Sequence, residues 1–245
     1  GDYGGFDVTP HGDRIVVNTL RTSQSPWVLE PEGQQPRRLT FDDQFDVDPV
    51  IASDGSVYFV RRNGHAGLYR ISIDGGAIQQ LNSAAAYSLD DVSKDGAQVV
   101  YRRAALAPVA WLARTSSEND RVLVQAKAPV DQVHFSPDER WVAFNSADSG
   151  RQEVFVASTD SVGSKWQVST GGGAQPIWSG DGRTIYYLGL DGTLYSVSVD
   201  GRGAAFKSAS PRALFKSPIG SVVSNIEQFR VSADGQRFVF KARVP

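Results

Sequence analysis

There is no cysteine anywhere in this chain, which excludes a disulfide framework, a thiolate metal site and a cysteine nucleophile. Methionine is absent as well, and no secretory leader precedes Gly1, so the chain reads as a domain taken from a longer protein or as a processed product. Only three histidines occur, His11, His65 and His134, and no two stand at metal-ligand spacing. No apolar run is long enough to cross a bilayer as a helix. With a formal net charge of −2, the chain also lacks the basic excess of a general nucleic-acid binder. A G-x-S-x-G elbow and a P-loop are missing, and Gly171 to Gly173, with no Lys-Ser behind it, reads as a loop. The expectation is a protein that is not an enzyme.

What the sequence does hold is turn chemistry and alternation. Its 245 residues include 24 glycines and 12 prolines, with 40% hydrophobic and 21% charged residues, values of an ordinary globular chain. A two-residue Asp-Gly turn or its variant recurs at Gly12, Gly55, Gly96, Glu139, Gly182 and Gly235, at spacings of 43, 41, 43, 43 and 53. Three residues before the turn aspartate, or His11 in the first unit, lie Val8, Ile51, Val92, Phe135, Trp178 and Val231. On the far side of the turn two more columns are apolar throughout, Ile15 to Phe238 and Val17 to Phe240. Alternation on both sides of a tight turn is what a half-buried hairpin needs.

Third strands follow, as in Leu68 to Ile71 and Leu194 to Val197, and fourth strands, as in Val122 to Val124 and Trp166 to Val168. Four short strands per period predict an all-β fold, a six-bladed β-propeller of four-stranded antiparallel blades in one domain spanning 1–245. The repeats fall at about 6–40, 41–83, 84–126, 127–170, 171–218 and 219–245, and the last blade is incomplete. Its missing outer strands are expected upstream of Gly1, or the blade has two strands and an edge near Phe238 and Phe240 open to another chain. A parallel β-helix repeats at shorter periods and has no antiparallel Asp-Gly hairpins.

The segments GDYGGFDVTPHGDRIVV, LTFDDQFDVDPVIASDG, FSPDERWVAFNSADSGRQEVFVAS, KWQVSTGGGAQPIWSGDGRTIYYLGLDGTLYSVSV and FRVSADGQRFVF carry a resemblance over essentially the whole chain. The chain resembles the TolB-like, WD-type propellers of bacteria, most closely the C-terminal propeller of membrane-anchored serine/threonine protein kinases. The resemblance implies an extracytoplasmic, non-catalytic sensing or interaction module belonging to a membrane-anchored parent. None of the kinase's catalytic motifs is present, and the departures His11 and Glu139 fall in turns.

Six residues before the turn aspartate lie Gly5, Asp48, Leu89, Gln132, Gln175 and Gln228, expected at the mouth of a central channel. Three are carboxamides, able to donate and to accept. Arg61, Arg62, Arg102, Arg103 and Arg151, from the turns between second and third strands, are expected on the same face, a rim suited to a small anionic ligand or an acidic peptide. Water filling a channel would favour the same polar residues. Asp42, Asp43, Asp46 and Asp48 form an acidic loop with oxygen ligands that could hold calcium, or simply a solvated loop. The repeated Asp-Gly pairs, by contrast, are turn residues. No other cofactor is expected. Three readings follow: a sensor binding a ligand or protein partner at the channel mouth; a TolB-like docking scaffold, with a homodimer through the incomplete blade as one form; and, from the enzyme class, an accessory propeller of a peptidase or a metal-dependent lyase.

Overall fold

The computed structural model describes residues 3–9, 12–19, 24–30, 35–42, 44–83, 86–105, 107–115, 119–203 and 205–241. Among them there is no helix, and antiparallel strands make up the regular structure. Blade one is β1 (Tyr3–Val8), β2 (Ile15–Thr19), β3 (Pro26–Leu29) and β4 (Arg37–Arg38). Blade two is β5 (Asp46–Ile51), β6 (Ser56–Arg61), β7 (Gly67–Ser72) and β8 (Gln79–Asn82). Blade three is β9 (Ser88–Val92), β10 (Gln98–Arg102), β11 (Val109–Arg114) and β12 (Asp120–Gln125). Blade four is β13 (Val130–Phe135), β14 (Trp141–Ser146), β15 (Glu153–Ser158) and β16 (Lys165–Gln167). Blade five has β17 (Ala174–Trp178), β18 (Thr184–Leu188), the long β19 (Thr193–Asp200), then β20 (Lys207–Ser208) and β21 (Arg212–Lys216), both paired with β19.

The expectation of six blades is corrected to five. The sixth turn, Asp234-Gly235, joins β22 (Phe229–Val231) to β23 (Phe238–Phe240), and these form a separate two-stranded sheet. The periodic signal counted six because a hairpin alone supplies all three apolar columns. A blade needs third and fourth strands, and none follows β23 among the described residues.

By contact the chain divides into two compact units, residues 1–105 with 111–121, and residues 106–110 with 122–245. In the first unit, alternate residues of β6 enter different cores. Tyr58 and Val60 pack with Val47, Leu89, Val99 and Tyr101, whereas Val57 and Phe59 pack with Val16, Val28, Tyr69 and Ile71. Both faces of such a strand are covered, which is why its sequence reads VYFV without polar alternation. In the second unit Trp141, Val156, Trp178, Ile185 and Phe206 form one core, and Leu188, Leu194, Ile219 and Phe229 another.

The turn column is left-handed in all six units: φ is 73° at Gly12, 80° at Gly55, 69° at Gly96, 58° at Glu139, 69° at Gly182 and 71° at Gly235. Glu139 thus adopts the glycine conformation without being glycine; His11 lies outside the described residues. The turn aspartates serve the backbone. Asp95, Asp138 and Asp181 accept from the hydroxyls of Ser93, Ser136 and Ser179 at 2.7, 2.6 and 2.7 Å. Each of these hydroxyls in turn accepts the amide five residues on, of Gln98, Trp141 and Thr184.

Candidate functional site

The column expected at the channel mouth is a column of β-bulges. The first strands of all five blades shift register against their neighbour at this level, between Tyr3 and Phe6, Val47 and Val50, Leu89 and Asp91, Asp131 and His134, and Ala174 and Ile177. Asp48, Gln132 and Gln175 sit in the bulges with φ of 52°, 56° and 58°. A non-glycine residue held left-handed costs about 1 kcal/mol or more, and bulges re-aim side chains. Pro49 and Pro176, directly after two of these residues, were the available sequence signal, because proline within a sheet is confined to edges and bulges. Leu89 of the column is buried in the core.

In the second unit Gln175 and Gln228 are brought together. Gln175 Nε2 donates to Gln228 Oε1 at 2.8 Å and to the carbonyl of Val223 at 2.7 Å, while Gln228 N donates to Gln175 Oε1 at 2.8 Å. Gln228 Nε2 donates to the Ser221 carbonyl at 3.0 Å. Asn145, fully buried, accepts from Gln175 N at 2.9 Å. Gln132 is only 5% exposed, and its Oε1 meets no donor among the described residues. Two residues further along β13, His134 faces Glu227 at 2.9 Å, and Glu227 also pairs with Arg230. This His–Glu–Arg group was not anticipated, since Glu227 lies some ninety residues from His134 in sequence. His65 is exposed, its carbonyl accepting from the Tyr69 hydroxyl.

Each of the five candidate arginines faces a carboxylate. Arg61 grips the fully buried Asp46 with Nε and Nη2, at 2.7 and 2.8 Å, and reaches Asp42 at 3.3 Å. Arg62 Nη2 meets Asp48 at 3.3 Å. Arg102 binds the buried Asp90 through Nε at 2.9 Å and Nη2 at 3.0 Å. Arg103 pairs with Asp120, which also accepts from the Tyr101 hydroxyl. In the second unit Arg151 Nε donates to Glu153 at 3.0 Å, and Glu153 accepts further from Gly172 N and Ser169 Oγ. Burial pushes the Asp48 carboxyl up to about 6, against the pull of Arg62 and Arg102. The bond to Asp46 raises Arg61 further above its already high value.

The three described members of the acidic loop therefore face guanidinium groups, and Asp43 lies outside the described residues. Among the described residues no group of three metal-ligating side chains is found.

Aromatic rings accompany the arginines. Arg62 stacks over Tyr87 at 4.1 Å, donates from Nε to the Tyr87 carbonyl at 2.6 Å, and donates its amide to the Phe45 carbonyl at 2.9 Å. Arg103 lies over Trp111 at 3.8 Å. Phe41, Phe45 and Tyr87 are 73%, 38% and 37% exposed, on the connections that enter blades two and three. The sequence columns, built around buried positions, did not single them out.

Elsewhere in the second unit, a cleft of about 640 Å³ lies on the Asp-Gly turn side, lined by Trp141, Trp178, Asp138, Asp181, Arg183 and Asp200. Its carboxylates are committed. The Ser179 hydroxyl holds Asp181 below the usual carboxylate range, and Arg202 holds Asp200 down at about 2.

No family model and no curated protein matches the chain. Solved structures do match. A putative TolB from Agrobacterium tumefaciens superposes with a TM-score of 0.65 at 17% identity, over 87% of this chain and 81% of that one. The fold is that of the TolB-like propellers. TolB from Acinetobacter baumannii gives 0.60 at 15% identity, over 95% of this chain and 61% of that one. An oligogalacturonate lyase in complex with manganese also gives 0.65, at 13% identity, over 99% and 71%. Identities this low establish the TolB-like fold and leave activity to the site.

Proposed function

We propose that this chain is a protein-docking scaffold of the TolB-like type, working outside the cytoplasm without turnover of its own. The observation that carries the reading is the surface around Arg62, where Phe45 and Tyr87 are exposed while, among the described residues, Arg62 is paired with Asp48 and stacked on Tyr87. Exposed aromatic rings with arginine, depleted of unpaired charge, are the composition of a protein interface core. An anionic ligand, by contrast, would have to compete with Asp42, Asp46, Asp48, Asp90 and Asp120 for the first unit's arginines. Localisation, and a membrane-anchored kinase parent, rest in this proposal on the family resemblance.

Peptide display panned on the purified chain tests it. Enriched sequences are expected to lose binding to a Phe41→Ser, Phe45→Ser, Tyr87→Ser variant that keeps its β-sheet spectrum. Enrichment that survives the triple variant would move docking off this surface, and turnover abolished by chelation would end the non-catalytic reading.

A second reading, a ligand sensor, is favoured by the buried Gln132 Oε1, which lacks a donor among the described residues. An excess mass in a native spectrum, lost in Gln132→Ala, is its expected sign.

A further inference from the structure

Blades four and five hold a glutamine in the same strained place. Gln132 of β13 and Gln175 of β17 lie in matching bulges, at φ of 56° and 58°, and both are buried. For Gln175 the use of that place is visible. Its Oε1 accepts from Gln228 N at 2.8 Å and its Nε2 donates to the Val223 carbonyl at 2.7 Å, so one carboxamide grips the main chain of residues 223–228, which lie outside the strands. The match is chemical, because a carboxamide carries an acceptor and donors side by side, as a peptide chain does.

Gln132 has the same backbone and grips nothing seen. Among the described residues no donor reaches its Oε1. A left-handed non-glycine residue and a buried acceptor without a donor each cost stability, and both persist where the surroundings or a bound group offset them. In blade five the gripped segment is that offset. Blade four has the device without the segment.

We propose that Gln132 grips the main chain of a docked segment of a partner protein, as Gln175 grips residues 223–228 of this chain: an N–H of the partner donates to Oε1 and a carbonyl accepts from Nε2. The template and the nearby charge select this occupant. Glu227 faces His134, two residues along β13 from Gln132, and also pairs with Arg230, so that carboxylate is already matched and a neutral N–H suits the place better than a cation. Ile226, next to Glu227, and Val223 are exposed and offer apolar contact to the partner's side chains. The inference deepens the docking reading and rests on it.

The test is peptide display on the purified chain, with the enriched peptides resynthesised and titrated against the wild type and Gln132→Leu. At least one enriched peptide is expected to bind the variant about tenfold or more weakly. In that peptide, N-methylation of one main-chain amide should weaken binding to the wild type by a similar factor and change nothing on Gln132→Leu, because both changes remove the same hydrogen bond. The urea midpoint of Gln132→Leu should equal or exceed that of the wild type, since the substitution takes away no acceptor bond seen among the described residues. Enriched peptides indifferent to Gln132→Leu, or no main-chain amide that couples to it, overturn the inference. A fall in the urea midpoint overturns it too, because the chain itself would then hold the carboxamide, and so does a copurified small molecule lost in Gln132→Leu. Docking itself survives each of these failures if display still enriches peptides that depend on Phe41, Phe45 and Tyr87, whereas a library that enriches nothing ends the docking reading and the inference with it.

Discussion

Gln175 and Gln228, fifty-three residues apart, are joined by two hydrogen bonds of 2.8 Å, one from side chain to side chain and one from the Gln228 amide to the Gln175 carboxamide. This pair ties the terminal hairpin to the first strand of blade five. Gln175 is buried, so Gln175→Leu takes away the acceptor of the part-buried Gln228 amide and the side-chain donor to the Val223 carbonyl. We expect a loss of about 1–3 kcal/mol in urea unfolding, with amides of Phe229 to Val231 losing protection first.

Asp48 gives a pH dependence of known sign. Its folded pKa of about 6 lies above the usual 3.8 because burial disfavours the charge more than Arg62 and Arg102 favour it. A raised folded pKa contributes stability below about pH 4 that is lost as pH rises through 6. Asp48→Asn removes the titration and suits the left-handed backbone, φ 52°. The variant is expected to gain on the wild type between pH 4 and 6, by at most about 3 kcal/mol. A stability difference that stays flat over that interval in paired urea titrations would refute it.

Glu139 holds a left-handed φ of 58° where the other units have glycine. Relief of that strain outweighs the added chain entropy, so Glu139→Gly should stabilise by about 0.5–1 kcal/mol. The reciprocal change, Gly182→Ala at φ 69°, places a Cβ 3.3 Å from Pro137 Cδ and should cost about 1 kcal/mol or more. Thermal melts of the two single variants, which should shift in opposite directions, check both.

Arg102 and Asp90 are both buried and doubly bonded. Arg102→Met alone leaves a buried carboxylate without its guanidinium and should cost about 3–5 kcal/mol. Arg102→Met with Asp90→Leu should recover most of that loss, and a double-mutant cycle in urea measures the coupling.

The hairpin columns were legible because they are local. Residues such as Ile185 and Tyr187 alternate along one strand, and Asp181-Gly182 demands one kind of turn, so a window of ten residues carries the signal. Sequence alone therefore determined the all-β class, the period and the placement of most strands. The number of blades was decided elsewhere. A hairpin satisfies the columns whether or not further strands cover it, and whether β23 becomes the inside of a blade or an edge depends on what pairs with Phe238 and Phe240. Tertiary structure likewise decided the chemistry of the candidate face. Arg61 and Asp46, fifteen residues apart, become opposite neighbours only when β5 and β6 pair, and His134 finds Glu227 only when distant segments fold together. Charge read along a chain is unpaired by construction; pairing across strands turned an expected cationic rim into a matched one and left the aromatic rings as the exposed feature.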